Sequence, residues 1–484
     1  MTTAPAALDR ASWRAAGAVV IGSFMAVLDS TVVNIALPEL TTGFQTSFAT
    51  IQWVVTGYLL ALAMAIPVTG WAADRFGARR VYLLALVLFT AGSALAGLAW
   101  DVGSLVVFRV LQGFAGGLLG PAGTAILVRL AGPDQVGKVM GVLGVPMLLG
   151  PISGPILGGW LVDVAGWRAL FLINVPIGVV ALVISARVLP VDPPRPAGRF
   201  DFLGMLLLSP GLAALIFTAF LAAGGAPAAV VWPIGLLGVV GVVGFVLRAN
   251  RIPSPLIDLG LFRDRSFRLS VTALALFVIG FLGSAVLFPA YFLVVRGETT
   301  LTAGLLLVPS GLAALFTVPV CGGLADRFGV GRVVLPGLVL ILSGMGVFTT
   351  VGADTPYWLL LGAQFLMGLG MGATMIPLMS EALRALATTK AAMASTALNI
   401  LQQVCGAIGS AVMSMVLAGL LATGFGVATA DGQLAATRAI ADPGSRVAAL
   451  GTAADAFASA FTVSLVVVAL CLVPVIPLAR KGKR

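Results

Sequence analysis

Histidine is absent from the 484 residues. That removes imidazole metal ligands, histidine-based catalytic triads and a histidine proton switch. Cysteine is scarce: Cys321, Cys405 and Cys471 lie far apart in apolar segments. They are too few for a four-cysteine zinc site and lack the paired spacing of a disulfide framework. Charge is the third shortage. Only 10% of residues are Asp, Glu, Lys or Arg, while 60% are hydrophobic; a soluble domain carries about 25% charged residues. A chain this long and this apolar has too little polar surface to face water, so it belongs in a bilayer. No nucleophile–base pair is visible, and neither an enzyme activity, a metal nor a cofactor is expected. The polar first dozen residues precede an apolar run too long for a signal-peptide core, which reads as a retained span.

A membrane helix needs about 20 mostly apolar residues. Runs of that kind fall at 13–37, 51–72, 81–99, 104–128, 139–162, 168–188, 202–223, 230–247, 270–294, 302–324, 333–351, 357–378, 391–421 and 457–478, fourteen in all. With the N-terminus placed in the cytoplasm, 23 of the 28 Lys and Arg fall on the inner side, four on the outer side, and Arg109 within a span. That bias sets both termini inside a cytoplasmic (inner) membrane. It also accounts for the net charge of +10: the basic residues line the rim beside anionic lipid, and no nucleic acid partner is expected. All eight Trp stand at or near span ends, as an interfacial belt would have them.

The chain repeats itself at an offset of 252 residues: PVTGWAADRFGARRV at 67–81 matches PVCGGLADRFGVGRV at 319–333 in ten of fifteen positions. Gln112, Gly116 and Gly120 align with Gln364, Gly368 and Gly372 at the same offset. Both loop copies fall on the cytoplasmic side, so the repeats run parallel. The expected fold is an all-α integral membrane protein with two six-helix bundles, 1–188 and 270–484. Between them, 189–269 forms a Pro-rich linker and two additional spans. The outer segment 422–456 reads as a long loop.

In the first loop, Gly70 near the inner end of span 2 lets neighbouring helices approach closely. Gly77 permits a tight turn. Asp74 can accept from a helix N-terminus or pair with an Arg on a neighbouring span. With Arg75, Arg79 and Arg80, and with Asp326 and Arg327 of the second copy, this set reads as a gate. Gly331 replaces Arg79 in the second copy, whose charge network is therefore thinner.

Two charges lie deep in spans. Asp29 and Arg109 each cost about 2.5–3.5 kcal/mol on insertion scales if they face lipid, so a bundle interior and mutual pairing are expected. The position 252 after Arg109 is Leu361, so packing alone does not require a cation there. Gly150, Gly154 and Gly158, with Pro151 and Pro155, give span 5 a small-residue face for close helix packing and conformational change. Met25, Asn34, Trp53, Tyr58, Gln112, Met147, Asn399 and Gln402 are candidate cavity residues. Gly132 to Val139 nearly spells a P-loop, but Lys138 is followed by no Ser or Thr and no strand precedes it.

The repeated loop resembles the signature of the major facilitator superfamily. LDSTVVNIALP at 28–38, QWVVTGYLL at 52–60, RVLQG at 109–113, GPISGPILGG at 150–159 and WRALFLINVP at 167–176 resemble motifs of its fourteen-span drug:proton antiporters. The resemblance implies the major facilitator fold and alternating access, with a lipophilic small molecule, protons and membrane lipid as partners, in a monomer. It implies export of drugs or toxic compounds as protons enter. One carboxylate in an apolar cavity suits a lipophilic cation, and Asp29 and Arg109 are the candidates for proton coupling. Export of an endogenous lipid or metabolite and, outside transport, a membrane receptor remain alternative readings.

Overall fold

The computed structural model describes residues 10–46, 48–131, 135–191, 200–223, 226–253, 255–384, 391–427, 439–440 and 444–480. These residues form helices and connections, without strands. Backbone hydrogen bonds closed within one segment are what hydrocarbon demands. The order is α1 (Arg10–Gly43), α2 (Trp53–Phe76), α3 (Ala78–Gly97), α4 (Val102–Ala131), α5 (Val136–Ala165), α6 (Arg168–Val188), α7 (Phe202–Ala223), α8 (Ala228–Ala249), α9 (Arg265–Val294), α10 (Thr302–Phe328), α11 (Val330–Phe348), α12 (Tyr357–Arg384), α13 (Ala391–Phe425) and α14 (Arg446–Arg480). Among the described residues, thirteen of these are long and apolar enough to cross a membrane. The remaining one, α5, is a 30-residue helix; the side chains of Met147, Pro151 and Pro155 on it, and of Asn34 on α1, lie outside the described residues.

The helices fall into two compact units. The first comprises Met1–Phe217, Leu236–Arg268 and Ser380–Ile400. Within it α4 packs on α2 and α3, while α1 lies along α5 and α6. Small residues set these approaches: a methyl group on Gly113 or Gly117 of α4 would stand 2.2 Å from Tyr58 O or 2.3 Å from Leu62 O on α2. A methyl on Gly150 or Gly154 of α5 would stand 2.3 Å from Val27 Cγ1 or 2.2 Å from Thr31 Oγ1 on α1. Phe200, just before α7, and Phe217 within it lie against opposite ends of α2, through Trp71–Phe200 (4.5 Å between ring centres) and Trp53–Phe217 (5.5 Å). Backbone contacts of Gly211 with Gly238 and Gly241 join α7 to α8. Asp201 holds the start of α7, accepting from Gly204 N and from Arg248 Nε of α8, each at 2.8 Å.

The second unit comprises Thr218–Gly235, Leu269–Met379 and Leu401–Arg484. Here α11 packs on α10 and α14. The middle of α9 departs from α-geometry, with a π segment at Val278–Leu282 and a 3-10 turn at Gly283–Val286.

Two expectations need correction. The last helix begins at Arg446 rather than near 457, which shortens the outer connection. The stretch Arg446–Ala456 is rich in Ala, a strong helix former, yet not apolar enough to read as a span. Trp167 leaves the interfacial belt: it is buried in a core with Leu37, Leu40 and Phe171, its ring 5.2 Å from that of Phe44.

The two repeated loops share one backbone device. Gly77 and Gly329 have φ of 88° and 90° with ψ of 135° and 146°, a region open to glycine alone. A methyl group on Gly329 would meet nothing within 4 Å. The expected penalty of Gly329→Ala is therefore backbone strain of about 1–3 kcal/mol, read as a fall in Tm of about 3–8 °C in detergent. An unchanged Tm would show that the loop relaxes freely.

Candidate functional site

The first unit buries one ion pair in its interior. Arg109 Nη1 of α4 donates to Asp29 Oδ2 of α1 at 2.6 Å, and both side chains are no more than 1% exposed. Apolar flanks force this: a charged group on a helix of Val, Leu and Ala avoids lipid only by turning inward, and it survives there only with a partner. The pair is embedded in further hydrogen bonds. Arg109 Nη1 also donates to Gln112 Oε1 at 2.7 Å, and Gln112 Nε2 returns a bond to Asp29 Oδ1 at 3.0 Å. Asn174 Nδ2 of α6 donates to the same Oδ1 at 2.8 Å and to Ser93 Oγ of α3 at 3.0 Å. Ser93 Oγ in turn donates to Phe171 O at 2.9 Å, and Arg109 Nε to Val54 O of α2 at 3.3 Å. Five helices thus converge on one carboxylate. Its two oxygens accept from three side chains, the arrangement that makes a buried anion tolerable. The Arg109 guanidinium lies over the Tyr58 ring at 4.1 Å and near that of Phe171 at 5.6 Å. Toward the C-terminal end of α1 the site is closed by Val32, Val33, Ala36, Leu37 and Leu40 packed with Phe171.

The glycine face of α5 meets α1 on either side of Asp29. Val27 and Thr31 seat against Gly150 and Gly154, and Thr31 Oγ1 lies 3.3 Å from Gly150 O. Gly158 is buried on the same helix.

At the first gating loop, Asp74 pairs with Arg129 in the last turn of α4, Oδ1 to Nη2 at 2.7 Å. Arg79 Nη2 donates to Ala186 O in the last turn of α6 at 2.5 Å. Arg75 and Arg80 are exposed. Gly70 is buried, and a methyl group there would lie 3.0 Å from Thr396 Oγ1. The second loop differs. Where the first has Arg79, Gly331 sits against the backbone of Ala479 on α14, 2.2 Å from where a methyl would stand. Where the first has Arg129, the repeat has Glu381, paired with Arg384 at 3.6 Å. Asp326 is half-buried and Arg327 exposed.

The cavity residues are dispersed. Met25 and Tyr58 are fully buried, and Gln112 belongs to the ion-pair network. Trp53 is 44% exposed and turned to Phe217. Asn399 donates to its own helix at Ser395 O, 2.9 Å away, and Gln402 Nε2 to Met379 Sδ at 3.3 Å. Asn34 and Met147 lie outside the described side chains. Reading the sequence assigned no role to Ser93 or Arg129, and it left Asn174 among many neutral polar groups. For Arg129 a signal existed, because its repeat partner Glu381 reverses the charge.

A sequence model of the Major Facilitator Superfamily matches residues 19–410. A multidrug resistance protein B homolog of Mycobacterium tuberculosis is 39% identical, over 97% of this chain and 90% of its own length. A tetracenomycin C resistance and export protein of Streptomyces glaucescens is 32% identical, over 84% and 76%. The crystal structure of the human organic anion transporter MFSD10 shares the fold, with a TM-score of 0.60 at 19% identity, over 94% of this chain and 99% of that one. The chain belongs to the major facilitator superfamily and is a multi-pass membrane transporter, not an enzyme.

Proposed function

We propose that this transporter exports lipophilic, chiefly cationic drugs or toxic compounds across the cytoplasmic membrane in exchange for protons. The bundles 1–188 and 270–484 alternate access to a central site. The observation that carries this reading is Asp29. Of the two buried carboxylates among the described residues, Asp201 caps a helix start, and Asp29 alone lies inside a span. A chain without His has few other groups that can take up and release a proton within the membrane. A proton and an organic cation both seek the negative charge of Asp29, and exchange between them is antiport. A proton falling through 100 mV yields about 2.3 kcal/mol, enough to concentrate a solute tens-fold. Two relatives are named for drug resistance, which supports export. The one named also for export of tetracenomycin C favours, as a second reading, a metabolite as cargo.

Dye accumulation in everted vesicles tests the class. It should require a proton gradient and collapse with a protonophore, and dye addition should release protons. Accumulation indifferent to the gradient would overturn proton coupling.

The orientation has its own test. The 23-to-4 bias of basic residues and an even number of helices support a topology with both termini in the cytoplasm and residues 426–445 outside. A C-terminal reporter should be active only in its cytoplasmic form, and a cysteine label at 426–427 should react from outside. The reverse pattern would refute the topology.

A further inference from the structure

We infer that the aromatic ring of Tyr58 is a positioning group for Arg109, holding the guanidinium in place when Asp29 is neutral. This rests on the proposed proton exchange at Asp29 and deepens it.

The argument starts from what protonation does to the cluster. With Asp29 charged, Arg109 has an anion at 2.6 Å. Once Asp29 takes a proton, a 1%-exposed cation loses its counter-charge in a site of low dielectric, where an unpaired charge is strongly disfavoured. Among the described residues only Asp29 and Arg109 carry charge here; Gln112, Asn174, Ser93 and Tyr58, from α4, α6, α3 and α2, are neutral. A ring face attracts a cation through its quadrupole, and the attraction is stronger when both are shielded from water. The Tyr58 ring is at 4.1 Å, well within range, and Phe171 at 5.6 Å is a weaker second. The ring does not titrate with Asp29, so its attraction persists in both states.

The hydroxyl is not what places Tyr58 here. Tyr58 OH is buried with no hydrogen-bond partner among the described residues, and it faces Gly116, on which a methyl would lie 3.0 Å away. The internal repeat supplies a control. At the offset of 252, Asp29 corresponds to Phe281, Arg109 to Leu361 and Tyr58 to Ser310, while Gln112 is retained as Gln364. Anion, cation and ring disappear together, and the neutral amide remains. Ring and cation therefore belong to one device.

The test is a thermal-unfolding cycle on the full-length protein in detergent, with transport measured alongside. Asp29→Asn imitates the neutral state permanently. Tyr58→Leu should lower Tm only modestly while Asp29 is present. In the Asp29→Asn background the same change should lower it further, by at least about 4 °C beyond the sum of the single effects. A double variant that fails to fold while both singles fold is the extreme of the same result. Tyr58→Phe, which keeps the ring and deletes the orphan hydroxyl, should match the Tm of its Tyr58 parent in both backgrounds. Additive Tm losses would overturn the inference, as would a Tyr58→Phe as damaging as Tyr58→Leu. Because the cycle reads stability, it separates the two claims. Indifference of transport to Asp29→Asn would refute proton exchange while the Tm coupling still judged the ring.

Discussion

Asp29→Asn should reduce gradient-driven export of a lipophilic cationic dye at least about tenfold, equivalent to about 1.4 kcal/mol on the limiting step. It should also abolish substrate-induced proton release. Its two oxygens accept from Arg109, Gln112 and Asn174. An amide in the same place offers one acceptor and a pair of donors, so at least one of those three bonds becomes a donor–donor contact. It also strips a buried Arg of its counter-ion, for which removal of one partner costs up to about 3–5 kcal/mol. Some of that loss is offset by the rings around the guanidinium, so the variant assembles with a lower Tm. Asp29→Glu keeps the charge and should retain part of the coupling. Export of the dye at the parent rate by Asp29→Asn under a proton gradient would remove Asp29 from the mechanism and turn attention to Arg109 or to Glu39, at the outer end of α1.

The second large effect is expected at the two repeated loops, and it is asymmetric. Asp74→Asn should lower turnover about tenfold at matched expression, and Asp326→Asn by less than about threefold. Asp74 engages Arg129 through a bond of 2.7 Å that is mostly shielded from water, where a charge-assisted contact is strongest. The second copy replaces both cations of the first. Glu381 stands for Arg129, and Gly331 stands for Arg79. Where Arg79 reaches the Ala186 carbonyl, Gly331 instead brings two backbones together at Ala479. The first loop holds a charge pair that can break and re-form, and at the second a backbone contact stands where Arg79 reaches a carbonyl. Arg129→Gln should reproduce the Asp74→Asn defect, and the double variant should be no worse than either single, as befits one shared interaction. Equal or reversed defects at Asp74 and Asp326 would count against this division.

The helices were legible because a span is a long apolar run, and such runs are hard to mistake. Two features escaped. The apolar sequence from Val278 to Val286 carries no mark of its π and 3-10 turns, since its side chains read as continuous helix. The start of α14 hid in an Ala-rich stretch that is helical by propensity and not by hydropathy. In the site, Asp29 and Arg109 stood out because a charge in a span demands explanation. Asn174 and Ser93 did not, because neutral polar groups recur throughout such helices. Arg129 was masked by the positive-inside rule, which accounts for any basic residue at an inner helix end. Tyr58 read as cavity wall, because no sequence pattern tells a ring that faces a ligand from one that faces a guanidinium.

The two aromatic pairs between α2 and α7 have a mechanical consequence. Each such pair is worth about 0.5–1.5 kcal/mol beyond the area it buries. Because they sit at opposite ends of α2, they fix its direction against α7 rather than merely its distance. Helix α8 follows, since Gly211, Gly238 and Gly241 leave no side-chain gap between it and α7. Any tilt of the helix that carries Asp74 then sweeps three helices through the surrounding lipid instead of one. The drag and lateral pressure of the bilayer act on that whole paddle, so membrane fluidity and tension enter the rate at which the loop after α2 can move.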